Sequence, residues 1–407
     1  MNRRAFLAGS VGALAAAPPP PSDQIVVGVV GAGFRGMQLI HACLDQPSIR
    51  IGAVCETYEP RMFGAGAITR ARGHKTRYYR IYQDLVEDRD LDAVIVATPD
   101  FSHHTITMEA LKAGKHVYVE QPLCLSWQQG VELLNAEREF SRVVQVGSQR
   151  RSSPIYIEAA RRISAGALGR VQMGRSYCVS NSLRPGVLKR GGVKLPEPLN
   201  FFDWQAGAAE RVPFSVDRFL NWRYYSEYGG GAVADLGCRV IDGIHMLTGA
   251  NFPATVKASG IPASAEGFDT VERAAITVEY PGGQLVTLSL NAGATIYRED
   301  RWELTSIDCE AGRAEITPRE YTDWKMSTSG KAGLTVPSWQ RRIANASDVA
   351  TRAHIANFLN AVRGKESAHA PVSAAFGGTL VCQMANLSIR TGRTAHWNST
   401  DQRVEIS

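Results

Sequence analysis

The stretch Ile25-Val26-Val27-Gly28-Val29-Val30-Gly31-Ala32-Gly33-Phe34-Arg35-Gly36 constrains this chain more than any other. Its first six residues are mostly β-branched and apolar, the pattern of a strand covered on both faces in a parallel sheet. Gly31, Gly33 and Gly36 follow at G-x-G-x-x-G spacing, and Met37 to Leu44 reads as a helix. Gly31 permits the tight turn, Gly33 lets the backbone touch a pyrophosphate, and Gly36 lets the helix pack on the strand. Phosphates then meet unpaired N–H groups at the positive end of the helix dipole, beside Phe34 and Arg35. The same glycines would also serve a tight turn without a ligand. A second strand, Arg50 to Cys55, ends in Glu56, twenty residues past Gly36, where an acid can accept hydrogen bonds from an adenosine ribose. Glu56 would repel a 2′-phosphate, so NAD is favoured, while Arg35 and Arg61 keep NADP open.

The rest of the chain sets the scale. At 407 residues it suggests two domains, and 44% apolar with 21% charged residues describes an ordinary soluble protein. The formal charge of +6 falls to +4 without Arg3 and Arg4, and no basic block resembles a nucleic-acid footprint. Residues 1–22 read as an export signal and Pro-rich linker: paired arginines, an apolar run from Ala8 to Ala17, a small-residue cleavage site, then Pro18 to Pro21. That run is too short to span a bilayer. The expectation is a periplasmic or otherwise exported protein that takes up its nucleotide before export and holds it tightly. Seven scattered cysteines without a C-x-x-C pair argue against a disulfide framework and against a structural zinc site, and no metal is expected.

From Glu56 onward, strands and helices alternate. Strands are predicted over Leu91 to Thr98, His116 to Glu120 and Val143 to Gly147, with helices between them. This implies an α/β fold with an N-terminal Rossmann doubly wound parallel sheet over residues 23–147. Ligands bind at the carboxyl ends of such strands. The loops after Val30, Cys55, Ala97 and Val119, with Thr98, Pro99, Glu120 and Gln121, therefore converge on one crevice. Residues 148–397 read as a C-terminal α+β domain with a large, mostly antiparallel open sheet. Its strands are predicted over Val171–Val179, Thr255–Ser259, Glu272–Tyr280, Gln284–Asn291, Arg301–Ile307 and Arg313–Ile316. Residues 398–407 read as a tail. Arg184 to Pro198 and Thr317 to Ala344 read as irregular loops, the latter with exposed-looking Trp324 and Trp339 that could stack on a sugar ring or pack locally.

The order G-x-G-x-x-G, acid after strand two, Ala97-Thr98-Pro99-Asp100 and Glu120-Gln121-Pro122 resembles the glucose–fructose oxidoreductase/inositol dehydrogenase/MocA (Gfo/Idh/MocA) family. The likeness continues through Val146-Gly147-Ser148-Gln149-Arg150-Arg151, Asn221-Trp222-Arg223-Tyr224, Gly229-Gly230-Gly231 and Asp235-Leu236-Gly237 to Trp397. It implies an NAD(P)-dependent oxidoreductase acting on a carbohydrate or polyol hydroxyl and assembled as a homo-oligomer. His103 and Gln149 would lie in the nucleotide crevice. Tyr177, Arg184, Arg223, Arg239 and His245 would contact substrate.

The family's proton-transfer positions are altered. A Glu-Lys-Pro lysine has become Gln121, and the histidine of a D-x-x-x-H pair has become Arg239, four residues after Asp235. A glutamine does not titrate, and arginine is a poor base. Helical spacing puts Asp235, Arg239 and Asp242 on one face, where an arginine between two carboxylates would keep one ionised and leave the other as base. A purely structural Asp–Arg–Asp ladder fits that spacing equally, and His245 suits a core histidine as well as a ligand. Two other activities fit these departures: redox-neutral glycoside cleavage with tightly bound NAD, and non-catalytic nucleotide or sugar binding.

Overall fold

The computed structural model describes residues 24–180, 199–263, 267–293, 302–326 and 335–407. The leader and Arg184 lie outside them. The first half alternates as expected: β1 (Ile25–Val30), α1 (Phe34–Leu44), β2 (Ile49–Cys55), α2 (Glu59–Ala71), β3 (Arg77–Tyr79), α3 (Tyr82–Val86), β4 (Ala93–Val96), α4 (His103–Lys112), β5 (His116–Val119), α5 (Trp127–Glu139) and β6 (Val144–Val146). The strands form one six-stranded parallel sheet in the order β3-β2-β1-β4-β5-β6. The order reverses between β1 and β4, so their carboxyl ends splay into a crevice. Alternating side chains feed two cores. Val27, Val29 and Ile95 face α1, while Val30, Val94 and Val96 face α3 and α4.

The second half comprises α6 (Pro154–Ser164), β7 (Val171–Val179), α7 (Phe201–Trp204), α8 (Val216–Leu220), α9 (Cys238–Thr248), β8 (Thr255–Pro262), β9 (Val271–Glu279), β10 (Leu285–Asn291), β11 (Glu303–Cys309), β12 (Gly312–Ile316), β13 (Glu320–Met326), β14 (Thr335–Arg342), α10 (Ala346–Val362), α11 (Val372–Thr391), β15 (Ala395–Asn398) and β16 (Arg403–Ile406). Its ten-stranded sheet runs β14-β13-β12-β11-β7-β10-β9-β8-β15-β16, antiparallel except where β10 lies parallel to β7. Two expectations are corrected. The stretch 317–344 is not an irregular loop, because β13 and β14 form the edge hairpin of the sheet. Trp324 donates to Glu315 Oε2 at 3.1 Å, and Trp339 packs beneath the Arg162 guanidinium at 4.8 Å, so neither is a loop aromatic. The predicted tail likewise ends in β16, paired with β15.

Between the sheets lies α11, the one helix among the described residues long and apolar enough to cross a membrane; 67% of that window is buried within the fold. All seven cysteines are buried and unpaired. The helix α10 crosses back to the first sheet. Its Ile355, Phe358 and Leu359 fill the core between α1 and the strands, and the Phe358 ring packs edge-on against Tyr118 at 5.7 Å. One face of the nucleotide half is therefore completed by residues more than two hundred positions later. Phe358→Ala should cost about 3–5 kcal/mol, as a buried Phe→Ala does, and should lower the urea midpoint of both halves in one transition. Independent unfolding of the second half would contradict this.

Candidate functional site

A cavity of about 490 Å³ opens at the carboxyl ends of β1, β2, β4 and β5, within the range of small-molecule sites. The glycine turn forms its floor. Gly31 has φ +91°, and a Cβ there would stand 2.6 Å from the Ala97 carbonyl oxygen. Gly36 does not line the cavity. A Cβ on it would stand 2.0 Å from the Gly31 carbonyl oxygen, so its hydrogen is what lets α1 sit on β1. Gly33 begins α1 with no side-chain cap, no acid follows in the first turn, and a Cβ there would meet nothing nearer than Arg61 at 3.9 Å. Arg35 ion-pairs through Nε with Glu120 Oε1 at 2.9 Å and leaves its buried Nη2 without a partner. Open backbone, an uncapped helix start and a spare guanidinium N–H suit a diphosphate. Beside them Glu56 is buried, its Oε2 accepting from the Ala32 N–H at 2.9 Å and its Oε1 from the Tyr58 N–H at 3.0 Å. The Thr57 hydroxyl also donates to Oε1 at 3.4 Å, and Oε2 keeps a second lone pair. These residues fit a nicotinamide dinucleotide.

The opposite wall is polar and comes from both halves. Thr98 and Pro99 follow β4, and Asp100 opens a short 3₁₀ turn there. A single π turn over Val233–Gly237, running into α9, carries Asp235. Between the two aspartates stands Arg223, whose Nε donates to Asp235 Oδ1 at 2.8 Å and whose guanidinium stacks on Trp222 at 4.1 Å. Burial by itself would raise the Asp235 pKa, but Arg223 and Arg239 outweigh it and hold the carboxyl below its usual range. Asp100 goes the other way. Burial pushes its pKa up to about 8; Arg223 and the Gly230 N–H oppose the rise, and the Asp235 charge adds to it.

Comparison with known proteins agrees with this geometry. Residues 25–148 match the NAD-binding Rossmann-fold domain of the Gfo/Idh/MocA oxidoreductases, and residues 208–396 match that family's C-terminal α/β domain. The chain belongs to the Gfo/Idh/MocA oxidoreductase family. It is 31% identical over 149 residues to an inositol 2-dehydrogenase/D-chiro-inositol 3-dehydrogenase of Lactiplantibacillus plantarum, covering 36% of this chain and 42% of the relative. It is 36% identical over 109 residues to a glycosyl hydrolase family 109 protein of Shewanella sp. strain ANA-3, covering 26% of this chain and 24% of the relative. These matches span less than half the relatives' length. The fold superposes on levoglucosan dehydrogenase in complex with NADH and levoglucosan, with a TM-score of 0.70 at 18% identity, covering 92% and 99% of the two chains.

The two altered family positions sit differently. Gln121 lines the cavity and donates through Nε2 to Ser148 Oγ at 2.5 Å, and Ser148 in turn bonds to Asp242. Arg239 stands behind Asp235, donating to its backbone carbonyl at 3.1 and 2.7 Å, with Nη2 at 3.3 Å from Oδ2. The expected Asp235–Arg239–Asp242 ladder is not formed. Asp242 is buried against Arg151 at 2.9 Å, away from the cavity, and burial raises its pKa despite that partner. Arg239 still reaches Asp235 across the π turn, whereas Asp242, further along regular α9, is engaged by Arg151.

Four more expected contacts are corrected. His103 is buried as a strut, its ring nitrogens 2.7 Å from the Pro122 and 2.9 Å from the Thr98 carbonyl oxygens, and burial lowers its pKa. Gln149 stands one step behind the wall, donating to Tyr118 Oη at 2.8 Å and Glu120 Oε1 at 3.0 Å. His245 lies 2.7 Å from Tyr280 Oη in the core, its pKa lowered to about 3 by burial. Tyr177 faces the far surface of the large sheet: Gly174, of opposite parity on β7, is the one that meets Ile244 of α9. Asp100, within the quoted Ala97–Asp100 motif, is a site residue that sequence reasoning did not single out, as are Asp203 and Trp204 of the second half.

Two outcomes follow. Glu56→Ala should weaken NAD binding at least tenfold and narrow the preference for NAD over NADP, read by titration calorimetry with each nucleotide. Asp100 has a folded pKa of about 8 against an ordinary 3.8, so its stabilising contribution is complete below about pH 4 and is lost as pH rises through 8. The Tm of Asp100→Asn minus that of the wild type should therefore climb from pH 4 to pH 9. A flat difference would contradict the burial argument.

Proposed function

We propose that the protein is an NAD-dependent oxidoreductase acting on a hydroxyl of a carbohydrate or polyol. The reading rests on one observation: the uncapped glycine turn and Glu56 share a single cavity with the Asp100–Arg223–Asp235 wall. When bound, NAD⁺ supplies a two-electron acceptor for a carbinol carbon. The turn and Arg35 hold the diphosphate, and Glu56 holds the adenosine ribose. Arg223, fixed by Asp235 and by stacking on Trp222, directs its remaining N–H groups at substrate oxygens. The inositol and levoglucosan dehydrogenases to which the chain is similar support a polyol or sugar substrate. We also propose export through the Arg3–Arg4 leader, tight NAD retention and self-association. These are read by cell fractionation, by mass analysis of the denatured protein and by light scattering.

A second reading is redox-neutral glycoside cleavage, favoured by the likeness to a glycosyl hydrolase family 109 protein and by the untitratable Gln121. One experiment separates the readings: the purified chain with NAD, assayed against myo-inositol, scyllo-inositol, levoglucosan and aryl glycosides. Net NADH from a polyol or anhydrosugar is the expected result. Aglycone release without added NAD would establish the second reading, and retained NAD that no substrate reduces would establish a non-catalytic binder.

A further inference from the structure

We propose that Asp100 is the catalytic proton acceptor of this site, in place of the lysine and histidine that the family resemblance leads one to expect at positions 121 and 239. The inference rests on the dehydrogenase reading above. Removal of a hydroxyl proton needs a titratable side chain that faces the reacting carbon and is free to accept. Among the described residues lining the cavity there is no lysine and no histidine. The remaining acids are committed elsewhere: Asp203 accepts from the Asn200 side-chain amide. Glu56 is tied to the glycine turn, and Glu120 accepts from Arg35, Tyr118 and Gln149. Asp235 is paired with two arginines, which makes it an anchor and a weak base. Tyr82 donates to Glu109, and burial raises its pKa far above neutrality.

Asp100 differs in place and in environment. It lies in the loop after β4, just past Pro99, and Gln121 lies after β5, so both stand on the side of the crevice away from Glu56. The charged groups facing it are Arg223 and Asp235 from the second half, and its carboxylate accepts from the Gly230 N–H and from its own. Arg223 is already engaged by Asp235, so Asp100 is left with a partial claim on that cation and a buried position. This is the condition that places a carboxyl near physiological pH, where a general base works best.

The step balances. The substrate O–H bond breaks, its proton passes to an Asp100 carboxylate oxygen, and its electron pair becomes the second C–O bond. With NAD⁺ held at the glycine turn, the C–H bond would break with both electrons passing to it, so that the carbinol carbon is oxidised and the nucleotide reduced. The protonated Asp100 gives its proton up to water before the next turnover.

The test compares the wild-type chain with Asp100→Asn, which keeps an acceptor for the Gly230 N–H. The substrate is whichever of myo-inositol, scyllo-inositol and levoglucosan gives NADH. In the oxidative direction, wild-type kcat/KM should rise with pH to a plateau above about 8, because the base must be ionised. Asp100→Asn should lose that limb and at least 100-fold in kcat, with NAD affinity within twofold. A readout independent of turnover is ¹³C-carboxyl NMR, where one aspartate should titrate near pH 8 and its signal should vanish in the variant. A variant that keeps kcat within threefold and the same pH limb overturns the proposal alone, as does the absence of any carboxyl titrating above pH 6. A chain that binds NAD but reduces it with none of the three substrates overturns the dehydrogenase reading and this proposal with it.

Discussion

Backbone against backbone, with no side chain between, is the contact on which everything else in the first half rests. The Gly36 α-carbon faces the Gly31 carbonyl so closely that a methyl group would stand 2.0 Å from it, and Gly31 approaches Ala97 in the same way. Three segments, β1, α1 and the loop after β4, are thereby drawn to within one atomic layer of each other. The crevice at the strand ends is floored by peptide groups, and the uncapped start of α1 offers backbone donors there. Glu56 reinforces the arrangement by accepting from Ala32 inside the turn. A group that would hold a ribose also stiffens the loop under the diphosphate.

The second organising element is one cation shared unequally between two carboxylates. Arg223 reaches Asp235 at 2.8 Å and is backed by Trp222; Arg239 adds a second cation on the far side of Asp235. Charge compensation therefore accumulates on Asp235, and Asp100 is left buried with little of it. The Asp235–Arg239–Asp242 arrangement anticipated from helical spacing is absent, and Arg223 is instead the cation that stands between two acids, Asp235 and Asp100. That trio uses residues from three separate parts of the chain instead of one helix face.

What could be read in the sequence divides along the same physical line. The six-stranded sheet was legible because its strands are buried on both faces, and unbroken runs such as Ala93–Val96 announce that burial. The glycine turn and Glu56 were legible because local spacing alone determines them. The edge strands were less so. Arg77–Tyr79 has three residues and no apolar run, and in β13 a buried Asp323 paired with Arg162 breaks the alternation that marks a half-exposed strand. The π turn was invisible because no residue signals it, and Asp242 is taken up by Arg151, 91 positions away, a pairing that local spacing does not encode. Asp100 sits in a motif that was quoted for its shape. Its chemistry arises from burial against Arg223 and Asp235, more than one hundred positions away, which local spacing cannot encode.

The return of α10 to the first sheet also bears on how such a chain comes into being. Phe358 and Leu359 close a core whose other residues are made near the start of synthesis, so the nucleotide half emerges from the ribosome with an uncovered apolar face. Long-range closure of this kind slows folding and leaves a sticky intermediate for as long as translation lasts. The two sheets are consequently not interchangeable modules. A recombinant that joins this glycine turn to another protein's second half would need to bring a matching version of α10 with it.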